Sequence, residues 1–470
     1  MAMPVIFATR SGKSLGSKIA FELSKVLYAR NHRIADEEWN PLILEERKHI
    51  DMIKAFNRHL FGNKSGHFCL RHIEIEDFSN EELHIVISDY KRQKSRRDDD
   101  DSITDQELIL KRNTLLTDQD MRIVNSVRGQ DVYLVHSPYE PRPELTDIIQ
   151  GLGRNVRRQN QKERAFDTNE IEEIIKRVRK ERSVNDNLVE GWLTAYTLAK
   201  WAKRVTLLCP YMVGSRQDHS REREASTAKL IATIDQVIGL NHAIFTDLHS
   251  PQIAEFYDVS AENLRASNVL VPEIETELRK EGYNKVIYRK VVSSPDAGGA
   301  KKARYYARKI GGRVVIGDKH RNYSLDNTVD EVMLVGEEAI SRNAVVLAVD
   351  DMIDTGGSIK RLVEKIAKRK PVAIYLACSH AILSGEAINT LDKLYHNGLI
   401  KKLITTDSIS RPNNFSKNHP WYHEISLAPM YAETIYSLNN EKSVSKVYAD
   451  TRKIKVVHFP NFDNLFNKKS

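Results

Sequence analysis

The chain reads as an α/β protein built on parallel sheets, and three observations predict it. Apolar runs of strand length alternate with helical patterns from end to end, the signature of strands joined by crossover helices. The runs are rich in β-branched residues and do not alternate with polar ones, as strands buried on both faces require. With 470 residues, 41% hydrophobic and 29% charged, the chain has the composition of a globular protein and the length of two or three domains.

Taken in order, strands are expected at residues 5–8, 132–136, 205–209 and 243–245 in the first half. In the second half, a strand at 285–292 leads through Ser293-Ser294-Pro295-Asp296-Ala297-Gly298-Gly299 into a helix at 300–310. Further strands follow at 313–316, 345–349 and 372–378, with a helix from 359 to about 370. Polar, charge-rich stretches at 35–65, 91–120 and 152–185 break the rhythm and read as insertions into the first unit. Ser11-Gly12-Lys13-Ser14 ends like a Walker A loop, but that motif needs a glycine where Phe7 stands, so the start of a helix is the better reading.

The most informative segment is 345–358. An apolar strand ends in the adjacent carboxylates Asp350 and Asp351, followed by Asp354-Thr355-Gly356-Gly357-Ser358. Ligands of open α/β sheets bind at the carboxyl ends of strands, where Asp350 and Asp351 are expected to emerge. Two vicinal sugar hydroxyls can each donate to such a carboxylate, and ionised acceptors make the stronger bonds. Backbone amides left open by Gly356 and Gly357, with the hydroxyls of Thr355 and Ser358 and the positive end of the next helix, suit a phosphate monoester. The chemistry these residues fit is therefore a phosphorylated ribose.

Composition narrows the rest. No apolar run approaches the roughly 18 residues of a membrane helix, and the first residues lack a signal-peptide charge pattern. Three cysteines, Cys69, Cys209 and Cys378, lie in apolar surroundings without metal-ligand spacing, so a reducing cytoplasm is the expected setting. The net charge of +8 is modest for this length. The basic clusters at 91–97, 154–164 and 176–182 sit beside acidic residues and are not interleaved with aromatics, which argues against nucleic acid as the partner.

Segment 345–358 resembles the loop that binds phosphoribosyl diphosphate (PRPP) in type I phosphoribosyltransferases and in ribose-phosphate pyrophosphokinases, the PRPP synthetases. Other motifs resemble the synthetases specifically. They are residues 125–132, Pro210-Tyr211 with Arg216-Gln217-Asp218, Thr246-Asp247-Leu248-His249, Ser294-Pro295-Asp296-Ala297-Gly298-Gly299, Gly317-Asp318-Lys319-His320-Arg321, Ser379 to Gly385, and 428–448. The resemblance implies two phosphoribosyltransferase-like, Rossmann-like domains at 1–265 and 266–448, the first carrying the insertions, with an extra tail at 449–470.

It also implies diphosphoryl transfer from ATP to the C1 hydroxyl of ribose 5-phosphate, giving PRPP and AMP, with Mg2+ as the metal. His249 and Asp296 would meet the metal and its triphosphate, Lys319 and Arg321, with His249, would be catalytic, and Arg216 and Gln217 would hold ATP. Asp247 is expected to share a face with His249 and to orient it. Asp350, Asp351, Asp354, Thr355, Gly356, Gly357 and Ser358 would hold the ribose phosphate. In the family a neighbouring subunit completes the adenine pocket, which implies a homo-oligomer. The counterpart here is Phe78-Ser79-Asn80-Glu81-Glu82, with Phe78, Asn80 and Glu82 as ATP contacts; Asn80 replaces an acidic residue and Glu81 a glycine. Those departures and the insertions keep two alternatives open: a larger ribose 5-phosphate ester such as ADP-ribose as acceptor, or an inactive regulatory homologue.

Overall fold

A computed structural model describes residues 5–9, 129–139, 183–220, 223–320, 331–412 and 414–444, parts of 11–26, and the backbone of three short strands between 70 and 86; of residues 319, 320, 331 and 332 it describes the backbone. The expected insertions at 35–65 and 91–120, and the tail at 449–470, lie outside the described residues. So does the third insertion except for its last residues, 183–185. Those open a helix: Ser183 accepts from the Asp186 N–H while Asp186 accepts from the Ser183 N–H, a capping box.

The first sheet has six strands, all parallel: β1 (Val5–Ala8), β2 (Leu70–His72), β5 (Asp131–Val135), β6 (Arg204–Cys209), β7 (His242–Thr246) and β8 (Ser260–Leu264), in the order β2-β1-β5-β6-β7-β8. β3 (Glu74–Asp77) and β4 (Leu83–Val86) form a separate antiparallel pair. Helices α1 (Val184–Ala199) and α2 (Thr227–Val237) serve as crossovers. Ser11 and Gly12 form a turn into helical backbone, as expected in place of a Walker loop.

The second sheet orders seven strands as β11-β10-β9-β12-β13-β14-β15. They are β9 (Arg289–Ser294), β10 (Arg313–His320), β11 (Glu331–Val335), β12 (Ala344–Ile353), β13 (Ala373–Ala381), β14 (Leu403–Thr406) and β15 (Tyr422–Ile425), parallel except for the antiparallel β10–β11 pair. Its helices are α3 (Ser267–Lys280), α4 (Ala300–Ile310), α5 (Gly357–Ala367), α6 (Ala387–His396), α7 (Phe415–Asn418) and α8 (Ala428–Asn439). The chain runs outward from β9 to β10 and β11, then returns to lay β12 on the other side of β9. The carboxyl ends of β9 and β12 therefore flank a topological switch point, where open α/β sheets bind ligands.

Helix α5 shows how the sequence sets these contacts. Ile359, Leu362, Val363 and Ile366 recur at helical spacing and are all buried against the sheet. Full burial of each such side chain contributes about 1.5–3 kcal/mol. One apolar layer joins the two sheets. Tyr133, Leu208 and Ile244 of the first share it with Val292, Val345 and Tyr375 of the second, and with Met430 and Tyr431 of α8. The Tyr431 hydroxyl lies 2.8 Å from Thr246 Oγ1, and Lys18 reaches Asp407 at 2.8 Å, so polar contacts also tie the halves. β8 ends at Leu264 and α3 begins at Ser267, and we propose this junction as the domain boundary.

Several expected bounds shift for tertiary reasons. Residues 285–288 form a turn, and the strand starts at Arg289. β10 runs past Ile316 to His320 because β11 pairs with it across Lys319↔Val332. β12 does not stop at Val349: β13 continues beside it, pairing Asp350↔Cys378 and Met352↔His380. Asp350 and Asp351 thus sit on the last turn of the pleat, not beyond the strand. α5 begins two residues earlier than expected, at Gly357.

Candidate active site

The switch point brings three loops together. After β12, Gly356 adopts φ +78° at the N-cap of α5, a left-handed conformation that glycine takes without steric cost. A side chain there would also meet the Ala387 backbone at 3.4 Å. Asp354 is held from two directions: one oxygen accepts from the Ser384 hydroxyl and the other from Arg216 Nη1 at 2.9 Å. Thr355, Gly357 and Ser358 follow as the turn into α5.

After β9, Ser294 Oγ donates to the Asp296 carbonyl at 2.7 Å, and Asp296 Oδ1 accepts from the Gly299 N–H at 3.1 Å. A Cβ on Gly299 would lie 2.8 Å from that of Ser294, so the turn closes only around glycine. Gly317 of β10 packs against the same turn, its hypothetical Cβ 2.7 Å from the Pro295 carbonyl oxygen.

The third loop comes from the first half. The chain leaves β7 at Asp247 with φ +43°, a conformation aspartate tolerates better than most residues. Asp247 accepts from the Ser379 hydroxyl, lies 3.7 Å from Lys302 Nζ, and presents its carbonyl 3.3 Å from His380 Nε2. This clamp aims His249 at the second sheet, where its Nδ1 lies 2.6 Å from Asp351 Oδ2. The expectation that Asp247 orients His249 is corrected: the left-handed turn takes Asp247 off the strand direction, its contacts are Ser379, Lys302 and His380, and Asp351 is the residue that holds the imidazole.

The carboxylate pair is electrostatically unequal. Burial, then the neighbouring charge of Asp351, pushes Asp350 well above the usual carboxylate range. Burial also opposes ionisation of Asp351, but the His249 hydrogen bond and the Lys302 charge outweigh it and hold Asp351 low. The bond to Asp351 in turn raises His249 above the ordinary imidazole value, against partial burial. Each carboxylate also caps the next amide: Asp350 Oδ1 accepts from the Asp351 N–H and Asp351 Oδ1 from the Met352 N–H, both at 2.9 Å.

Other expected residues are placed less completely. Arg216 is more than half exposed and reaches across to Asp354. The Gln217 side chain accepts from Thr227 Oγ1 and its carbonyl from Ser226 Oγ, so in this structure it braces the start of α2. Lys319 lies in the β10 strand, where the backbone alone is described. Arg321, Phe78, Asn80 and Glu82 lie outside the described residues. Lys302, Ser379 and Ser384 escaped sequence reasoning; no local pattern marks them, although Ser379 and Ser384 fall in a segment that the family resemblance had flagged.

For a metal, His249 keeps Nε2 available while Asp351 holds Nδ1, the arrangement of an oriented imidazole ligand. His249 and Asp296 together do not form a protein cage. That fits magnesium, which usually takes one or two protein ligands and fills its shell from substrate phosphates and water. Among the described residues, the grouping whose ligand atoms fall within 4.8 Å of one another is elsewhere, at Glu273, Glu277 and His423 on α3 and β15. There Glu277 is already paired with Lys280 at 2.6 Å and with Lys402.

Family models match both halves of the chain. A family model described as the N-terminal domain of ribose phosphate pyrophosphokinase matches residues 117–239, and one described as a phosphoribosyl transferase domain matches 262–397. The chain is 32% identical to the ribose-phosphate pyrophosphokinase of Fusobacterium nucleatum over 267 residues, 56% of this chain and 79% of that one. It is 32% identical to ribose-phosphate pyrophosphokinase 1 of Streptococcus mutans over 270 residues, 57% and 79% of the two chains. The crystal structure of phosphoribosylpyrophosphate synthetase from Mycobacterium smegmatis superposes with a TM-score of 0.58 at 20% identity, covering 93% of this chain and 99% of that one, a likeness of fold. Among the described residues no helix is long and apolar enough to cross a membrane.

Proposed function

Because the chain belongs to the ribose-phosphate pyrophosphokinase family of enzymes, we propose that it transfers the β,γ-diphosphoryl group of ATP to the C1 hydroxyl of ribose 5-phosphate, releasing AMP. The observation that carries this reading is the meeting of the His249 segment of the first half with the Asp350–Asp351 pair of the second. An enzyme that only consumes PRPP has no need of the first half's loop over that pair.

In this reading the acceptor lies along the end of β12. Asp351, ionised, takes a ribose hydroxyl, Asp350 takes its neighbour, and the first turn of α5 with Thr355 and Ser358 receives the 5-phosphate. Arg216 releases Asp354 to engage the triphosphate, while Lys319 and Arg321 gather charge building on the oxygen that leaves with AMP. Magnesium, held by His249 and Asp296 together with the phosphates, would supply charge neutralisation of the triphosphate. The protein's share is positioning and electrostatics, as phosphoryl transfer in general demands. A homo-oligomer with Phe78, Asn80 and Glu82 completing a neighbour's ATP site belongs to the same proposal.

The test compares acceptors. Purified full-length chain with Mg2+ and ATP should release AMP in proportion to added ribose 5-phosphate. AMP formation with ADP-ribose alone would move the assignment to a larger ester, and none with either would leave an inactive homologue.

A further inference from the structure

The phosphate cradle has a cation that neither the sequence nor the family motifs single out. Arg361 lies one helical turn beyond Gly357 on α5, and long helical side chains lean back toward the N-terminus. Its Nη1 stands 4.0 Å from the point a Cβ on Gly357 would occupy, and Thr355 Oγ1 stands 4.0 Å from the same point. The space that Gly357 leaves open is thus flanked by a guanidinium and a hydroxyl. It also adjoins the end of the helix: the Lys360 N–H reaches back to the Gly356 carbonyl at 2.9 Å, and amides ahead of it have no carbonyl one turn earlier.

Arg361 is not spent elsewhere. Its Nε is buried without a hydrogen-bond partner, and it makes no ion pair among the described residues. Lys360 beside it is half exposed and lies 4.0 Å from Glu364. A partly buried guanidinium kept from carboxylates, next to a helix N-terminus and a hydroxyl, is placed to meet an anion.

We propose that Arg361 is the counter-ion of the acceptor's 5-phosphate and favours a terminal phosphate monoester over a 5-phosphate that carries a further ester. This rests on the proposed reading of the loop as the acceptor site. A monoester carries about −1.5 to −2 charge near neutral pH and offers terminal oxygens to both prongs of a guanidinium. Esterification removes one of those oxygens and part of the charge. Arg361 thereby bears directly on acceptor size, the question that the loop residues themselves leave open.

Steady-state kinetics of the full chain decide it. Arg361→Met should raise KM for ribose 5-phosphate about ten- to a hundredfold, the range for a lost bond to a charged group. KM for ATP should stay within about twofold and kcat within about threefold, and Arg361→Lys should recover part of the loss. In the variant, the preference for ribose 5-phosphate over ADP-ribose should shrink. An unchanged acceptor KM would overturn the proposal, and so would a parallel rise in both KM values with a lowered Tm, which marks a merely structural role. If Arg361→Met does not fold, Arg361→Gln, a shorter polar side chain that keeps an N–H donor but not the charge, carries the same test. If the wild type turns over neither acceptor, the functional reading fails instead. Calorimetric binding of ribose 5-phosphate then judges Arg361 alone: weaker binding in the variant supports it and equal binding overturns it.

Discussion

His249 Nδ1 lies 2.6 Å from Asp351 Oδ2, a contact between residues 102 positions apart that joins the loop after β7 to the end of β12. It links the side of the site assigned to metal and triphosphate with the side assigned to ribose. The imidazole is held in one orientation, and both partners' proton affinities move: His249 up, Asp351 down.

That coupling sets a pH dependence. A histidine must be neutral to ligate a metal, and Asp351 stabilises the protonated form. Followed by NMR, the His249 ring should titrate above the ordinary value of about 6.5 in the wild type. In Asp351→Asn it should titrate lower, because the hydrogen bond and the charge that raise it are both gone. The sign follows for binding: as pH falls, MgATP affinity should drop at a higher pH in the wild type than in the variant. A titration unchanged by Asp351→Asn would break the link.

Lys319 sits next to the carboxyl end of β10, opposite Val332 of β11 in register. A cation that acts on charge developing at the leaving oxygen contributes to the transition state more than to the ground state. Lys319→Ala should therefore lower kcat by about a hundredfold or more while KM for ATP moves by less than about threefold. Equal turnover would remove Lys319 from the mechanism.

Gly317 holds β10 against the turn that follows β9. Its backbone passes so near the Pro295 carbonyl that an added methyl would sit 2.7 Å from the oxygen, and backbone cannot swing aside as a flexible side chain can. Gly317→Ala should displace the Asp296 turn from β10, costing about 1–3 kcal/mol of stability and cutting activity disproportionately. Thermal unfolding alongside kinetics at a temperature where the variant is folded separates the two effects. Full activity in the folded variant would show that the turn tolerates the shift.

Much of the fold was legible because buried parallel strands announce themselves. Val5–Ala8 and the helix Ala300–Ile310 stand where their apolar patterns place them. A polar edge strand was not legible: Ser260–Leu264 lies at the end of its sheet and is only partly buried, so it carries no apolar run. The run of β12 through Asp350 and Asp351 was hidden because its cause, continued pairing with β13, is a property of another segment. The same holds for the site. Loop chemistry at 350–358 could be read from residue types and order, whereas Asp247–Ser379 and Arg216–Asp354, 132 and 138 residues apart, arise from packing of two sheets. The left-handed turn at Asp247 undid a period-two argument that was sound for a continuing strand.

If the diphosphoryl group moves as one unit, phosphorus NMR of a single incubation with MgATP and ribose 5-phosphate should show equimolar AMP and a new diphosphate attached at C1, with no ADP formed. Appearance of ADP with a singly phosphorylated sugar, or ATP left intact beside unchanged ribose 5-phosphate, would contradict it.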